Sequence, residues 1–187
     1  MSEQRVADPG PLGLAGFAMT TFCLSTFNIG LWKGAGLTAA ISLALMYGGI
    51  AQFAAGMWEF ARKNTFGALA FTSYGAFWMG IYFFININGG LKVTGALGVY
   101  LLAWTIFTFY MMIAASKTNS TLFLLFIVLE ITFIFLTIGN WEAGHSSMVK
   151  IGGWLGIVTA FIAWYASAAG VINETYGKTV LPLGTRG

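Results

Sequence analysis

Long runs of apolar residues broken by short polar stretches set the pattern of this chain, with no sustained alternation of the kind a half-buried strand requires. The first run is uncharged from Pro9 to Trp32, and five more follow, so that candidate spans fall at residues 11–28, 37–60, 66–86, 96–115, 121–140 and 151–172. Each has about the 20 residues that a helix needs to cross a hydrocarbon layer ~30 Å thick. The pattern predicts an all-α integral membrane protein of six transmembrane helices. They would form one domain over residues 1–187, as three helical hairpins around a pore within each subunit, with short tails at about 1–8 and 177–187. The connections are too short to hold a soluble domain.

Composition agrees with the periodicity. Hydrophobic residues make up 58% of the chain and charged residues 8%, against roughly a quarter charged in soluble domains. Such a chain cannot cover itself with a water-facing surface. The polar start and the length of the first apolar run argue against a cleaved signal peptide. Arg5, Arg62, Lys63, Lys117, Lys178 and Arg186 fall on one side of the predicted membrane, and Lys33, Lys92 and Lys150 on the other. The excess places both termini in the cytoplasm of a cell-membrane protein, by the rule that basic loops stay inside. Trp32, Trp58, Trp141 and Trp154 lie near span ends, as an interfacial belt requires. A net charge of +3, dispersed over these loops, gives no reason to expect a nucleic-acid partner.

Little here suggests an enzyme. Cys23 and His145 are single residues of their kind, which excludes an intrachain disulfide and gives no basis for a metal or other cofactor site. No span offers a carboxylate pair or a nucleophile beside a base. Polar side chains inside spans are costly and should face other helices or a water-filled path. Phe17, Thr20, Thr21 and Asn28 share a face of the first span by three- and four-residue spacing. Tyr74 shares a face of the third with Phe71 and Trp78, beside the hydroxyls of Thr72 and Ser73. Gln52 and Glu59 share a face of the second with Gly48 and Gly49. These groups either bond within and between helices or line a path for a small solute. No Lys or Arg lies well inside a span, so an anion could pass without being trapped.

Glu130 is the acid deepest in a span. Without a partner such a carboxyl favours its neutral form, which makes Glu130 a candidate either for a packing role between helices or for proton coupling. Asp8 precedes the first span as an expected N-cap, and Asn64-Thr65 as the cap of the third. Gly152/Gly156 and Ala166/Gly170 have the four-residue spacing that lets membrane helices approach, within one subunit or between subunits.

Asp8-Pro9-Gly10-Pro11-Leu12-Gly13-Leu14 resembles the Asn-Pro-Ala-Pro-Leu-Gly-Leu signature of the acetate uptake transporter family, with Asp8 for Asn and Gly10 for Ala. The likeness recurs in Tyr47-Gly48-Gly49-Ile50-Ala51-Gln52, in Phe71-Thr72-Ser73-Tyr74-Gly75, in Thr137-Ile138-Gly139-Asn140, in Gly153-Trp154-Leu155-Gly156 and in Thr179-Val180-Leu181-Pro182. The resemblance implies transport of acetate, succinate or other short carboxylic acids, by a channel or a proton symporter assembled as a homohexamer. It implies a hydrophobic constriction at the matching positions Phe17, Tyr74 and Leu129, with Ala163 beside the path. The family pattern has an uncharged residue at position 130, so it carries no role to Glu130. A channel for a neutral solute such as urea or ammonia is the alternative, since the absence of buried cations permits it equally. A structural or sensory membrane protein is a third reading, and it predicts no flux.

Overall fold

The computed structural model describes residues 6–32, 36–88, 94–141 and 146–185. Arg5, Lys33, Lys92, His145 and Arg186, used above to read topology and chemistry, lie outside these described residues. The helices are α1 (Gly10–Asn28), α2 (Gly36–Leu45), α3 (Gln52–Ala61), α4 (Thr65–Asn88), α5 (Thr94–Ala115), α6 (Ser120–Trp141) and α7 (Ser146–Tyr176). A π-helical segment, Met46–Ala51, joins α2 to α3 without a break, so the helices make six spans. All six are long and apolar enough to cross a membrane, and the protein is a multi-pass membrane protein. No strand occurs among the described residues beyond one isolated bridge between Asn119 and Thr185.

Two element ends differ from the sequence reading. The last helix, α7, has 31 residues and runs well past the expected 151–172. At 1.5 Å per residue it is ~46 Å long, more than the hydrocarbon layer needs. At the start of α1 the capping position is Pro9 rather than Asp8. Proline has no side-chain acceptor, so Asp8 supplies one from a residue further out: its Oδ1 accepts the Gly10 N–H at 2.9 Å. Asn64 does cap α4, with its Oδ1 accepting the Gly67 N–H at 3.1 Å.

The spans close into a ring in which α1 packs on α7 and on the second span, α3 on α4, α5 on α6, and α6 on α7. Among consecutive spans, backbones approach least between α4 and α5, and large aromatic side chains bridge them. Phe77 stacks on Tyr100 at 5.8 Å and meets Trp104 edge-on at 5.2 Å, while the Tyr100 hydroxyl donates to the Phe77 carbonyl at 2.9 Å. Elsewhere small residues let backbones come close. A Cβ at Gly152 would lie 2.7 Å from Leu136 on α6, and one at Gly170 would lie 2.7 Å from Pro11 on α1. Gly170 and Gly152 therefore serve packing within the subunit.

The π segment has a local cause. Gly48 and Gly49 are poor helix formers, and α1 presses on this turn so closely that a Cβ at Gly16 would sit 2.5 Å from the Tyr47 carbonyl oxygen. Wider turns of this kind often mark functional sites. Here the α3 that follows carries Gln52 and Glu59, two turns apart, toward the interior.

Candidate functional site: a cavity ending at Phe17, Tyr74 and Leu129

A cavity of about 260 Å³ opens at the end of the bundle where α1 begins and α7 ends. Its floor is Phe17, Tyr74 and Leu129, each almost fully buried. The helices α1, α4 and α6 each contribute one large side chain to this floor. The Phe17 and Tyr74 rings lie 5.8 Å apart, and Tyr74 also meets Phe107 edge-on at 5.3 Å and Phe126 at 6.2 Å. Phe77, Trp78, Phe133 and Ala163 continue the same buried cluster beyond the floor. The floor is closed by side-chain packing.

The walls toward the mouth are apolar, with Leu14, Phe66, Phe71, Leu125 and Phe126 among them, and Gln52 is the polar group deepest on that side. The Gln52 Oε1 is buried and has no hydrogen-bond partner among the described residues. Thr21 Oγ1 and Trp78 Nε1 are likewise buried without partners. Thr21 stands one helical turn beyond Phe17 and Trp78 one turn beyond Tyr74, on the same faces. Unpartnered polar atoms thus flank the floor on both sides. Such atoms cost about 1–3 kcal/mol each when nothing bonds to them.

The other residues singled out in the sequence divide differently. Thr20 is fully buried but donates to the Gly16 carbonyl at 2.8 Å, and Thr72 donates to the Ala68 carbonyl at 2.5 Å, so both bond within their own helices. Asn28 packs against Gly153 at the far end of α1, and Ser73 is half-buried on α4; neither lines the cavity. Glu130 is buried on α6 next to the floor residue Leu129, does not line the cavity, and has an unpartnered Oε2.

Charge gathers at the mouth. Arg62, at the C-terminus of α3, forms an ion pair with Asp8 in front of α1, and the Glu59 Oε2 lies 4.0 Å from the same guanidinium. Glu59 is 2% exposed and accepts a hydrogen bond from Asn64 Nδ2 at 2.9 Å. The segment after α7 folds back across this end. Asn173 holds it through Leu181 and Val180, Leu183 accepts from Thr121, and the Leu183 side chain joins the cavity lining.

Sequence reasoning did not find the Asp8–Arg62 pair, the returning tail or Thr108. Thr108 is fully buried on α5, and its Oγ1 shares a 2.8 Å hydrogen bond with the Tyr74 hydroxyl. Glu59 was visible only as a residue on the face of Gln52.

Comparison with known proteins gives consistent results. The model of the GPR1/FUN34/yaaH family matches residues 1–184. The chain is 40% identical to the succinate-acetate/proton symporter SatP of Escherichia coli (strain K12), over 98% of each chain. It is 41% identical to ammonia transport outward protein 2 of Saccharomyces cerevisiae, over 91% of this chain and 63% of that protein. Among solved structures, that of the bacterial acetate channel SatP superposes with a TM-score of 0.89 at 39% identity, covering 96% of this chain and all of that one.

Proposed function

The chain belongs to the GPR1/FUN34/yaaH family, and on that premise we propose that it carries acetate, and succinate or other short carboxylic acids, across the membrane through the cavity and constriction described above. The observation that carries this reading is the placement of unpartnered polar atoms on both sides of an apolar floor. A carboxylate moved bare into an apolar constriction would lose its hydration at a cost of many kcal/mol. Groups that bond to it just before and just after the narrow point lower that cost. On the cavity side the Gln52 carboxamide can accept the O–H of a neutral acid or donate to a carboxylate. On the far side Thr21 and Trp78 supply an O–H and an N–H donor. Phe17, Tyr74 and Leu129 then exclude water and strongly hydrated ions.

Ala163 keeps the floor small where a bulkier residue would fill it, since it is fully buried in the same cluster. Thr20, Thr72, Ser73 and Asn28 support the path from the helices around it. Both termini face the cytoplasm in this reading, because Arg62, Lys63, Lys117 and Lys178 lie at the end bearing the cavity mouth and Lys150 at the other. The assembly is a homohexamer with one path per subunit. Exposed apolar side chains such as Ile106, Phe109 and Ile113 on α5 and Met46, Ile50 and Phe53 on the second span are available to neighbouring subunits and lipid. Glu130 is the residue proposed to exchange the proton, as a buried carboxyl with a free oxygen next in sequence to Leu129.

Uptake of labelled acetate into liposomes holding the purified protein tests the whole reading. Uptake is expected, with succinate competing, and an inward proton gradient should accelerate it in the native chain but not in Glu130→Gln. Flux that follows the acetate gradient alone and survives that substitution would make the protein a channel with Glu130 a packing residue. Flux of ammonia or urea that acetate does not inhibit would establish the neutral-solute alternative instead.

A further inference from the structure

Asp8 and Arg62 are 54 residues apart in sequence, yet their side chains pair across the mouth of the cavity. Among the described residues lining the cavity Arg62 is the cation, facing the two carboxylates of Asp8 and Glu59. Glu59 is 2% exposed and engaged by Asn64. The Asp8 carboxylate is different. Its side chain is 40% exposed and that of Arg62 34%, so solvent and solutes reach both. The same Oδ1 that meets Arg62 also accepts the Gly10 N–H at the first turn of α1. A guanidinium and a helix-start amide converge on this one carboxylate oxygen, which is the arrangement that recognises a free carboxylate ion.

We propose that Arg62 and the first turn of α1 form a capture site for the substrate carboxylate at the cavity mouth, and that Asp8 is its built-in competitor. The proposal rests on the reading of the cavity as a carboxylate path. With the Asp8 carboxylate in place the guanidinium is neutralised and an incoming acid meets no net attraction. When Asp8 swings aside, the substrate carboxylate takes its position within reach of the cavity. Glu59, held by Asn64, remains as the fixed negative neighbour that keeps the captured anion from binding too tightly. Asp8 thereby sets the concentration at which the mouth fills, without touching the constriction that sets the maximal flux.

The substitution Asp8→Asn isolates this effect, because asparagine keeps the acceptor for the Gly10 N–H and removes only the charge. Acetate flux is measured in vesicles with the terminus-bearing face toward the added acetate. The half-saturating concentration should fall about two- to fivefold in Asp8→Asn, the range an ion pair at this exposure supports, with maximal flux unchanged. It should rise in Arg62→Gln, recover in part in Arg62→Lys, and respond to Asp8→Asn no further once Arg62 is gone. An unchanged value in Asp8→Asn, or an equal shift with and without Arg62, overturns the proposal. A second readout does not depend on transport. Phenylglyoxal modification of Arg62, followed by mass spectrometry, should be faster in Asp8→Asn than in the native chain, and acetate should slow it. Absence of acetate flux in the native chain would count against the proposed function alone. Failure of acetate to protect Arg62 in Asp8→Asn would sink the capture site whatever the flux.

Discussion

The Tyr74 hydroxyl is held by Thr108 Oγ1 at 2.8 Å, so the floor of the cavity on α4 is fastened to α5, the next span in the chain, whose backbone approaches α4 only loosely. Phe107 packs edge-on against the same ring at 5.3 Å. The phenol is thus fixed at its polar end by one hydrogen bond and along its face by aromatic packing. Phe17 and Leu129 close on a side chain that cannot turn freely.

Thr108→Val tests this fastening, since it keeps the shape of the side chain and removes the hydroxyl. A buried phenol left without a partner should lower stability by about 1 kcal/mol, hydrogen bonds between membrane helices being worth less than a full desolvation penalty. Thermal unfolding in detergent should show the loss. Acetate flux should rise because Tyr74 is released. Lower stability with unchanged flux would confine the bond to a structural role.

Leu129→Ala addresses the proposed constriction. Removing most of a buried side chain at the edge of an existing cavity should cost about 2 kcal/mol of stability, near the low end for such truncations. It should also widen the narrowest point. Flux of acetate should rise by about tenfold, corresponding to a barrier lower by about 1.4 kcal/mol, and bulkier carboxylates should gain more. Equal gains for small and bulky acids would show that Leu129 does not set the width.

The spans were legible from hydropathy, because each is a run long enough to cross the bilayer and the breaks between them hold the charges. Leu129 could be placed only by resemblance, and the structure brings it together with Phe17 and Tyr74 in one floor. Periodicity says which side chains share a helix face, not which faces meet. That is why Thr108, on a different span from Tyr74, and Arg62, 54 residues from Asp8, were missed as partners. The π segment escaped for another reason. Its wide turn arises where α1 crowds the Tyr47 carbonyl, and nothing in the sequence Tyr47-Gly48-Gly49 alone announces that neighbour.

The crowding gives its own prediction. Gly16→Ala would put a Cβ 2.5 Å from the Tyr47 carbonyl oxygen, and neither backbone can yield without parting α1 from the second span. The expected loss is about 3 kcal/mol, as for an overpacked core. Gly95→Ala is the control, because the atom nearest its new Cβ is the Trp141 carbonyl oxygen at 3.9 Å. Helix propensity should make that change neutral or stabilising by up to about 1 kcal/mol. Paired thermal unfolding curves decide the matter, and similar behaviour of the two variants would refute the steric account.

The first part of the returning tail hangs on one side chain. The Asn173 amide nitrogen donates to the Leu181 carbonyl at 2.8 Å, and its oxygen accepts the N–H groups of Val180 and Leu181 at 2.7 and 2.9 Å. Tyr165 adds a bond to the Pro182 carbonyl, and further along the Thr121 hydroxyl and N–H both donate to the Leu183 carbonyl and the Ser120 N–H donates to the Gly184 carbonyl. Asn173→Ala removes the three Asn173 bonds together, which should release residues 178–181, while Leu183 keeps its place at the cavity mouth through Thr121 and Ser120. Lys178 lies at the start of that stretch and is exposed, but a protease needs a locally unfolded backbone around the bond it cuts. Trypsin should therefore cleave after Lys178 about tenfold faster in Asn173→Ala, which corresponds to about 1.4 kcal/mol of lost local stability, with the melting temperature of the bundle little changed. Acetate flux should change little, because Leu183 stays at the mouth. Equal cleavage rates in the two proteins would show that the Asn173 bonds do not hold the stretch around Lys178.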